Sequence, residues 1–151
     1  MNSPFLIRPA QAGDAQPITE LVNQAYSPYI PRIGRKPGPM FDDYARLIAE
    51  ATVFVLVAGD EIAGILVMER EDSELILLNV AVLPRYKGQG IGKQLMGFCE
   101  EYARDNGCEA IRLYTHALMS ENLGIYSKLG YQETHRATQD GFDRVFMRKA
   151  L

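Results

Sequence analysis

The sequence has few of the residues that build disulfide frameworks or metal centres. Its two cysteines, Cys99 and Cys108, and its two histidines are too few for either kind of site. A net charge of −3 also lacks the basic excess that is typical of proteins that bind nucleic acid or anionic membranes. We therefore expect no metal, no nucleic-acid partner and no membrane partner.

Long apolar runs are also absent. No stretch approaches the roughly 20 apolar residues of a membrane span, and the N-terminus has no signal-peptide pattern. Internal repeats, low-complexity tracts and a linker long enough to separate two domains are lacking as well. The chain of 151 residues is long enough to bury a core of its own. We expect a single domain, 1–151, in the cytoplasm.

The most informative stretch of the sequence is an apolar run followed by alternating glycines and an amphipathic pattern. The run ends at Pro84, and Gly88, Gly90 and Gly92 follow it. A strand, a tight turn and a helix in this order place free backbone N–H groups and the positive end of a helix dipole at the turn. The pattern predicts an anion site, most naturally for a phosphate. Cationic side chains flank this turn: Arg85, Lys87 and Lys93.

The glycine spacing separates this turn from two other phosphate-binding motifs. A dinucleotide fingerprint has two residues between its second and third glycines, whereas only Ile91 lies between Gly90 and Gly92. A P-loop has glycine at the position of Lys87 and serine or threonine at that of Gln94. Nucleotide binding through either motif is therefore disfavoured.

The hexapeptide Lys87-Gly88-Gln89-Gly90-Ile91-Gly92 resembles the acetyl-CoA-binding motif of the Gcn5-related N-acetyltransferase (GNAT) superfamily, [RQ]-x-x-G-x-[GA]. The departure from that motif is Lys87, which replaces Arg or Gln. Because the family binds the pyrophosphate mainly through backbone amides, this departure does little harm. The resemblance implies that the turn, with Lys93 beside it, binds acetyl-CoA.

A second stretch, from Asn122 to Tyr131, resembles a later motif of the same superfamily, N-x-x-[AS]-x-x-[LF]-Y-x-[KR]-x-G-[FY], in slightly shortened form. Asn122 and Tyr126 are four residues apart and share one face of a helix. The resemblance implies that Asn122 binds the pantetheine amide and that the Tyr126 hydroxyl protonates the departing thiolate. A phenol with a pKa near 10 suits that role. The alternative for Tyr126 is an amphipathic core side chain.

Patterning along the chain predicts the order strand, two helices, three strands, helix, strand, helix, two strands. Asp14 is the predicted cap of the first helix, Gly107 follows the end of the third, and Ser120 is the predicted cap of the last. This order is similar to that of the GNAT superfamily over nearly the whole chain. We expect an α+β (mixed α/β) fold with a central, mostly antiparallel sheet of six to seven strands. About four helices would flank the sheet, which would contain a splayed parallel strand pair.

The resemblance also implies roles for the strand that precedes the glycine turn. In the superfamily this strand diverges from its neighbour, and its exposed backbone pairs with the pantetheine arm. By position it covers residues 79–83 here, with Val82 as the main pantetheine contact. The oxyanion donor would be the backbone amide of Asn79 or Val80. The residues by themselves indicate no more than a core strand.

No side chain stands out as the base that deprotonates the amine. His116 follows the fifth strand and titrates near neutrality, which makes it our candidate, although a structural histidine is the alternative. Glu69 and Glu71 lie at the end of the strand before the cofactor strand, and Asn79 offers no base. A carboxylate or a water relay, both used in the family, stays open.

Segment 27–40 is rich in proline and combines cations with apolar side chains, a composition that predicts no regular helix. It is either a solvated connection or a semi-rigid lid over a binding site. As a lid it would bind the acceptor through Tyr29, Arg32, Arg35 and Met40. Its cations would then select a negatively charged acceptor, or would contact the 3′-phosphate of the cofactor instead.

Together the motifs predict an enzyme that acetylates a primary amine of a small molecule, peptide or protein by direct attack on acetyl-CoA. The alternative is a non-catalytic acyl-CoA-binding sensor or interaction module that kept the cofactor turn. The presence of both Asn122 and Tyr126 favours the enzyme, because a binding module needs no acid. The expected partner is the amine acceptor, and a homodimer stays open.

Overall fold

The computed structural model describes residues 5–151. Its strands are β1 (Phe5–Pro9), β2 (Thr52–Ala58), β3 (Glu61–Glu71), β4 (Glu74–Val82), β5 (Ala110–His116), β6 (Gln132–Gln139) and β7 (Phe142–Ala150). Its α-helices are α1 (Ala15–Tyr26), the single turn α2 (Ile30–Ile33), α3 (Tyr44–Glu50), α4 (Ile91–Asp105) and α5 (Ser120–Lys128). Short 3₁₀ turns precede α1, α2, α3 and α4.

The described strands form one sheet in the order β1-β2-β3-β4-β5-β7-β6. The pairing is antiparallel throughout except between β4 and β5, which run parallel. A parallel pair requires a crossover connection, and α4 supplies it here. The predicted α+β fold, with its mostly antiparallel sheet and one parallel pair, is thus confirmed.

The helices cover both faces of the sheet. Apolar side chains of α1 and α3 pack with one face of β2, β3 and β4, around residues such as Leu21 and Ile65. The apolar stripe of α4 packs on the other face, where Ile91 and Leu95 are fully buried. Gly64 on β3 permits this close approach, because a Cβ there would lie 2.9 Å from Cδ1 of Leu95. The two layers fix both ends of β4 between α1 and α4.

Segment 27–40 contains more helix than its composition predicts. Ser27–Tyr29 forms a 3₁₀ turn, Ile30–Ile33 forms α2, and Gly34 ends α2 with a φ of 87°. The expectation of no regular helix was wrong because of where the prolines lie. Pro28 is in the first turn of the 3₁₀ element and Pro31 is in the first turn of α2. A backbone N–H at that position makes no hydrogen bond within the helix, so proline, which lacks it, is tolerated there. The prolines therefore start these turns rather than break them.

Two predicted helix caps were also wrong. Asp14 precedes α1 without capping it, because its carboxylate accepts hydrogen bonds from the Arg8 guanidinium at 2.8 and 3.1 Å and from the Gln11 amide at 2.7 Å. Ser120 is already the first residue of α5, and its hydroxyl donates to Glu121 at 3.1 Å. In both cases a nearby charged group competes successfully for the capping side chain.

Candidate active site

The pairing between β4 and β5 is interrupted at the middle of the sheet. Residues 74–77 of β4 pair with residues 110–113 of β5, and pairing stops there although both strands continue. A β-bulge coincides with this point, because Leu77 and Asn79 oppose consecutive residues of β3 and Leu78 is the extra residue. The bulge bends β4 away from β5. The rest of β4 consequently has one edge without a neighbouring strand.

The backbone register decides which amides of β4 face this gap. The Leu83 amide donates to the Ala63 carbonyl of β3 at 2.8 Å. Because successive amides of a strand point to opposite sides, and the register is regular from Asn79 to Val82, the amides of Val82 and Val80 face away from β3. The Asn79 amide points toward β3. Of the two predicted oxyanion donors, only Val80 is therefore oriented into the gap.

The glycine turn lies at the end of the open edge. Gly88 and Gly90 have φ values of 82° and 80°, which an L side chain adopts only with strain, and Gly90 is the N-cap of α4. Gln94 makes the first helical hydrogen bond, to the Gly90 carbonyl at 3.0 Å. Within residues 5–151 the amides from Gly88 to Lys93 have no protein acceptor. The Lys87 amide, in contrast, donates to Pro84 at 3.1 Å.

One cleft of about 490 Å³ joins the glycine turn, the open edge of β4 and α5. It is lined by most of the residues predicted to hold the cofactor, namely Val80, Val82, Lys87, Gly88, Gly90, Ile91, Gly92, Asn122 and Tyr126. Gln89 and Lys93 are exposed and are not among the lining residues. The two motifs thus predicted about half of the residues that line the cleft. The positive φ values of Gly88 and Gly90 explain why glycine occupies those two positions.

Asn122 and Tyr126 reach the cleft from the same face of α5, as their spacing predicts. The Asn122 side chain donates a long hydrogen bond of 3.4 Å to the Thr115 hydroxyl on β5. The Tyr126 ring contacts Tyr131 with 5.9 Å between centroids, and its hydroxyl has no partner among the described residues. Burial raises the pKa of Tyr126 to about 12, so the hydroxyl holds its proton at neutral pH.

A smaller cavity of about 140 Å³ adjoins the cleft on the other side of the gap. The two share the lining residues Tyr26, Val80, Met119, Asn122 and Tyr126. Asp42 and Arg144 also line the smaller cavity, and sequence reasoning missed both. No local motif marks them, because Asp42 precedes α3 whereas Arg144 lies on β7, and only the sheet order brings them together.

Asn79 is buried, with 5% of its surface exposed, and its side chain is part of a hydrogen-bonded chain. The Tyr26 hydroxyl donates to its Oδ1 at 2.6 Å, and its Nδ2 donates to the Tyr44 hydroxyl at 3.0 Å. Tyr44 in turn donates to the Pro39 carbonyl at 2.7 Å. Burial raises the pKa of both tyrosines above the ordinary value, which keeps both protonated as donors.

His116 lines the smaller cavity with one ring nitrogen already engaged. The Leu118 amide donates to Nδ1 of His116 at 3.1 Å, so in the neutral ring the proton lies on Nε2. Burial lowers the pKa of His116 below its ordinary value; the Asp143 carboxylate opposes this shift and Arg144 adds to it. At neutral pH the ring therefore offers the cavity an N–H donor rather than a free lone pair.

The four residues predicted to bind the acceptor lie at different places. Tyr29 lines the larger cleft, and Met40 packs with the α1–α3 core. Arg32 forms an ion pair of 2.5 Å with Glu121 on α5, and it holds the pKa of that carboxyl at about 2. Arg35 donates to the Asp140 carbonyl at 3.0 Å and lies over the Phe142 ring. The cations attach the loop to α5 and to the β6–β7 turn, and neither lines the smaller cavity.

Two further properties of the described part of the chain bear on its chemistry. From Phe5 onward, no group of three or more His, Cys, Asp or Glu side chains could hold a metal ion. Among the helices of residues 5–151, none is long and apolar enough to cross a membrane.

Comparisons with known proteins agree on one protein family. Residues 16–131 match the model of the family described as "Acetyltransferase (GNAT) family". The chain is similar to the [ribosomal protein bS18]-alanine N-acetyltransferase of Haemophilus influenzae, with 30% identity covering 52% of this chain and 53% of that one. It is also similar to the aminoalkylphosphonate N-acetyltransferase of Salmonella typhimurium, with 38% identity covering 37% of this chain and 36% of that one. The chain thus spans about half or less of these relatives' lengths.

A solved structure extends the likeness to the whole fold. The PaiA N-acetyltransferase of Thermoplasma acidophilum, in complex with coenzyme A, superposes with a TM-score of 0.82. The alignment covers 100% of both chains at 20% sequence identity. At that identity the likeness shows the fold alone.

The state of His116 gives a direct test of the smaller cavity. Because burial and Arg144 both disfavour the imidazolium, NMR titration of the folded protein should give His116 a pKa below 6.5 and the Nε2–H tautomer. The same residue in the urea-unfolded chain should titrate near 6.5, its ordinary value, and serves as the control. A folded-state pKa above the unfolded one, or a proton on Nδ1, would contradict the described geometry.

Proposed function

The chain belongs to the Acetyltransferase (GNAT) family, and we propose that it transfers the acetyl group of acetyl-CoA to a primary amine of a small molecule by direct attack. The observation that carries this proposal is the cleft in which free amides of the glycine turn, the open edge of β4 and the Tyr126 hydroxyl meet. The curated relatives named above are N-acetyltransferases of alanine in a ribosomal protein and of aminoalkylphosphonates. Both acceptors are amines, which supports the reaction class.

The residues of the cleft fit coenzyme A. Amides without acceptors at the start of α4 suit a pyrophosphate, and an added Cβ at Gly92 would only just contact Val82, 3.9 Å from its Cγ2. The amides of Val80 and Val82 are free to pair with the amide groups of a pantetheine arm, as an added strand would. Asn122 lines the same cleft and carries a side-chain amide. The turn would therefore hold the phosphates and β4 the arm.

Bound acetyl-CoA supplies a thioester whose C–S bond breaks as the amine nitrogen bonds to the acetyl carbon. The Val80 amide is our candidate for the donor that stabilises negative charge on the carbonyl oxygen, because it faces the gap. Tyr126 is our candidate for the acid that gives its proton to the leaving sulfur. Its hydroxyl has no competing partner among the described residues, and its pKa of about 12 keeps it protonated.

The attacking amine must lose a proton, and the cavity beyond the gap offers two groups for it. His116 lacks a free lone pair while its Nδ1 accepts from Leu118. Asp42 is exposed at the cavity, and its carboxylate has no hydrogen bond or ion pair among the described residues. Partial desolvation raises its pKa, against the opposing charges of Arg46 and Arg144. We therefore assign the role of general base to Asp42 rather than to His116: Asp42 would accept the proton of the attacking amine, directly or through a water.

Replacing the N-cap glycine tests the cofactor site. Gly90→Val should weaken CoA binding about tenfold or more, because a β-branched residue at a φ of 80° is strained and displaces the turn amides. Isothermal titration calorimetry measures the affinity. Gly97→Ala is the matched control, since Gly97 is an exposed glycine within α4 that has open space around it. Full CoA affinity in Gly90→Val would place the cofactor elsewhere.

Removing the Tyr126 hydroxyl separates an enzyme from a binding module. Tyr126→Phe should lower kcat about 10²- to 10⁴-fold while CoA affinity stays unchanged, because a proton donor acts only in the transition state. Steady-state release of the CoA thiol gives the rate. Tyr131→Phe, which changes the neighbouring ring 5.9 Å away, should keep nearly full activity. Equal kcat in wild type and Tyr126→Phe, with chemistry rate-limiting, would remove Tyr126 from the mechanism.

A further inference from the structure

The smaller cavity contains one carboxylate and one guanidinium that do not pair with each other. Asp42 and Arg144 both line it, yet no ion pair joins them among those formed by the described residues. The described residues that line it include no other carboxylate, guanidinium or ammonium group. The cavity is therefore bipolar, with one site for a cation and one for an anion.

Asp42 belongs to the wall of the cavity that is hydrogen-bonded to β4. Its backbone amide and the Tyr44 hydroxyl both donate to the Pro39 carbonyl, at 3.4 and 2.7 Å, and Tyr44 accepts from Asn79 of β4. Tyr26 lies beside the Val80 carbonyl, with its hydroxyl 3.5 Å from that oxygen. An ammonium attracted by Asp42 would thus lie next to the open edge of β4.

Arg144 is held in place by side chains of the neighbouring strands β5 and β6. Its guanidinium lies over the Tyr114 ring at 4.4 Å, and its Nη1 donates to the Gln139 side chain at 2.9 Å. Its Nη2 has no acceptor among the described residues. Gly38 lies beside this nitrogen, since a Cβ there would be 3.6 Å from Nη2, so a larger side chain at this position would contact it. A stacked, oriented guanidinium with a free N–H suits a carboxylate or phosphonate oxygen.

Given the proposed function, on which this inference rests, we infer that the acceptor is a small amine that also bears an anionic group, a carboxylate or a phosphonate. Asp42 binds its ammonium and Arg144 binds its anion. The volume of about 140 Å³ supports a small acceptor, since a cavity of about 150 Å³ in another protein holds one benzene molecule. The anion-binding cation is then Arg144 and not Arg32 or Arg35, the loop cations that the sequence suggested, which bond to Glu121 and to the Asp140 carbonyl.

Matched acceptors test this inference. 3-Aminopropanoate is compared with 3-aminopropanamide, and 2-aminoethylphosphonate with ethanolamine, by CoA-thiol release and by calorimetry in the presence of CoA. In at least one pair, the anionic amine should have a kcat/KM about 10- to 100-fold higher than that of its neutral partner. This is the increase expected from one additional hydrogen bond to a charged group. The pair that shows the larger ratio identifies the anion as carboxylate or phosphonate.

Variants assign the preference to Arg144. Arg144→Met should raise KM for the anionic acceptor about 10- to 100-fold and leave that for its neutral partner unchanged. Gly38→Val should have the same effect by covering Nη2 while Arg144 keeps its contacts with Tyr114 and Gln139. Arg136→Met, which changes an exposed arginine paired with Glu133 on β6, is the control. Arg35→Met should leave the preference intact.

The outcomes separate this inference from the proposed function. Acetylation of neutral and anionic amines at equal kcat/KM would overturn the inference and keep the proposed function. A preference that survives both Arg144→Met and Gly38→Val would overturn it as well. If no amine were acetylated, the proposed function would fail, and calorimetry would then decide the inference. Anionic amines should still bind more tightly than neutral ones to the wild-type protein. This difference should disappear in Arg144→Met and in Gly38→Val.

Discussion

The loss of pairing between β4 and β5 beyond Leu77 is the constraint on which the rest of the structure depends. A strand in the middle of a sheet normally satisfies its amides on both sides, and unpaired buried amides cost free energy. Here the bulge at Leu78 leaves Val80 and Val82 with free amides in the interior of the sheet. The structure therefore presents an edge where a ligand backbone or water can complete the ladder, directly beside the glycine turn.

A series of hydrogen-bonded side chains lies beside the divergent part of β4, on the α1–α3 face of the sheet. Tyr26 donates to Asn79, Asn79 to Tyr44, and Tyr44 to the Pro39 carbonyl. This series connects α1, β4, α3 and the turn that carries Pro39, so it fixes the wall of the smaller cavity to the divergent part of β4. Asn79, expected among the catalytic residues, thus has a structural explanation for its burial. The α2 segment is attached separately, through the Arg32–Glu121 ion pair.

The sequence predicted those features that depend on neighbours along the chain. The glycine turn, the helix from Ile91 and the Asn122–Tyr126 face follow from φ requirements and from helical periodicity, and the structure has all three. Features that depend on contacts between elements were missed or wrong. The Asp14 carboxylate pairs with Arg8 on β1 instead of capping α1, and Asp42 and Arg144 line the same cavity because the sheet order places β7 next to β5. No pattern of neighbouring residues in the sequence indicates such contacts.

Residue-resolved amide hydrogen exchange, measured by NMR with and without CoA, tests the central claim that the open edge of β4 binds the cofactor. The amides of Val80 and Val82, which face the gap, should exchange more slowly in the complex. The Ala81 amide, which faces β3, should change little and serves as the internal control. CoA binding that leaves exchange at both Val80 and Val82 unchanged would contradict the account, because the cofactor would then not complete the strand pairing that β5 leaves open.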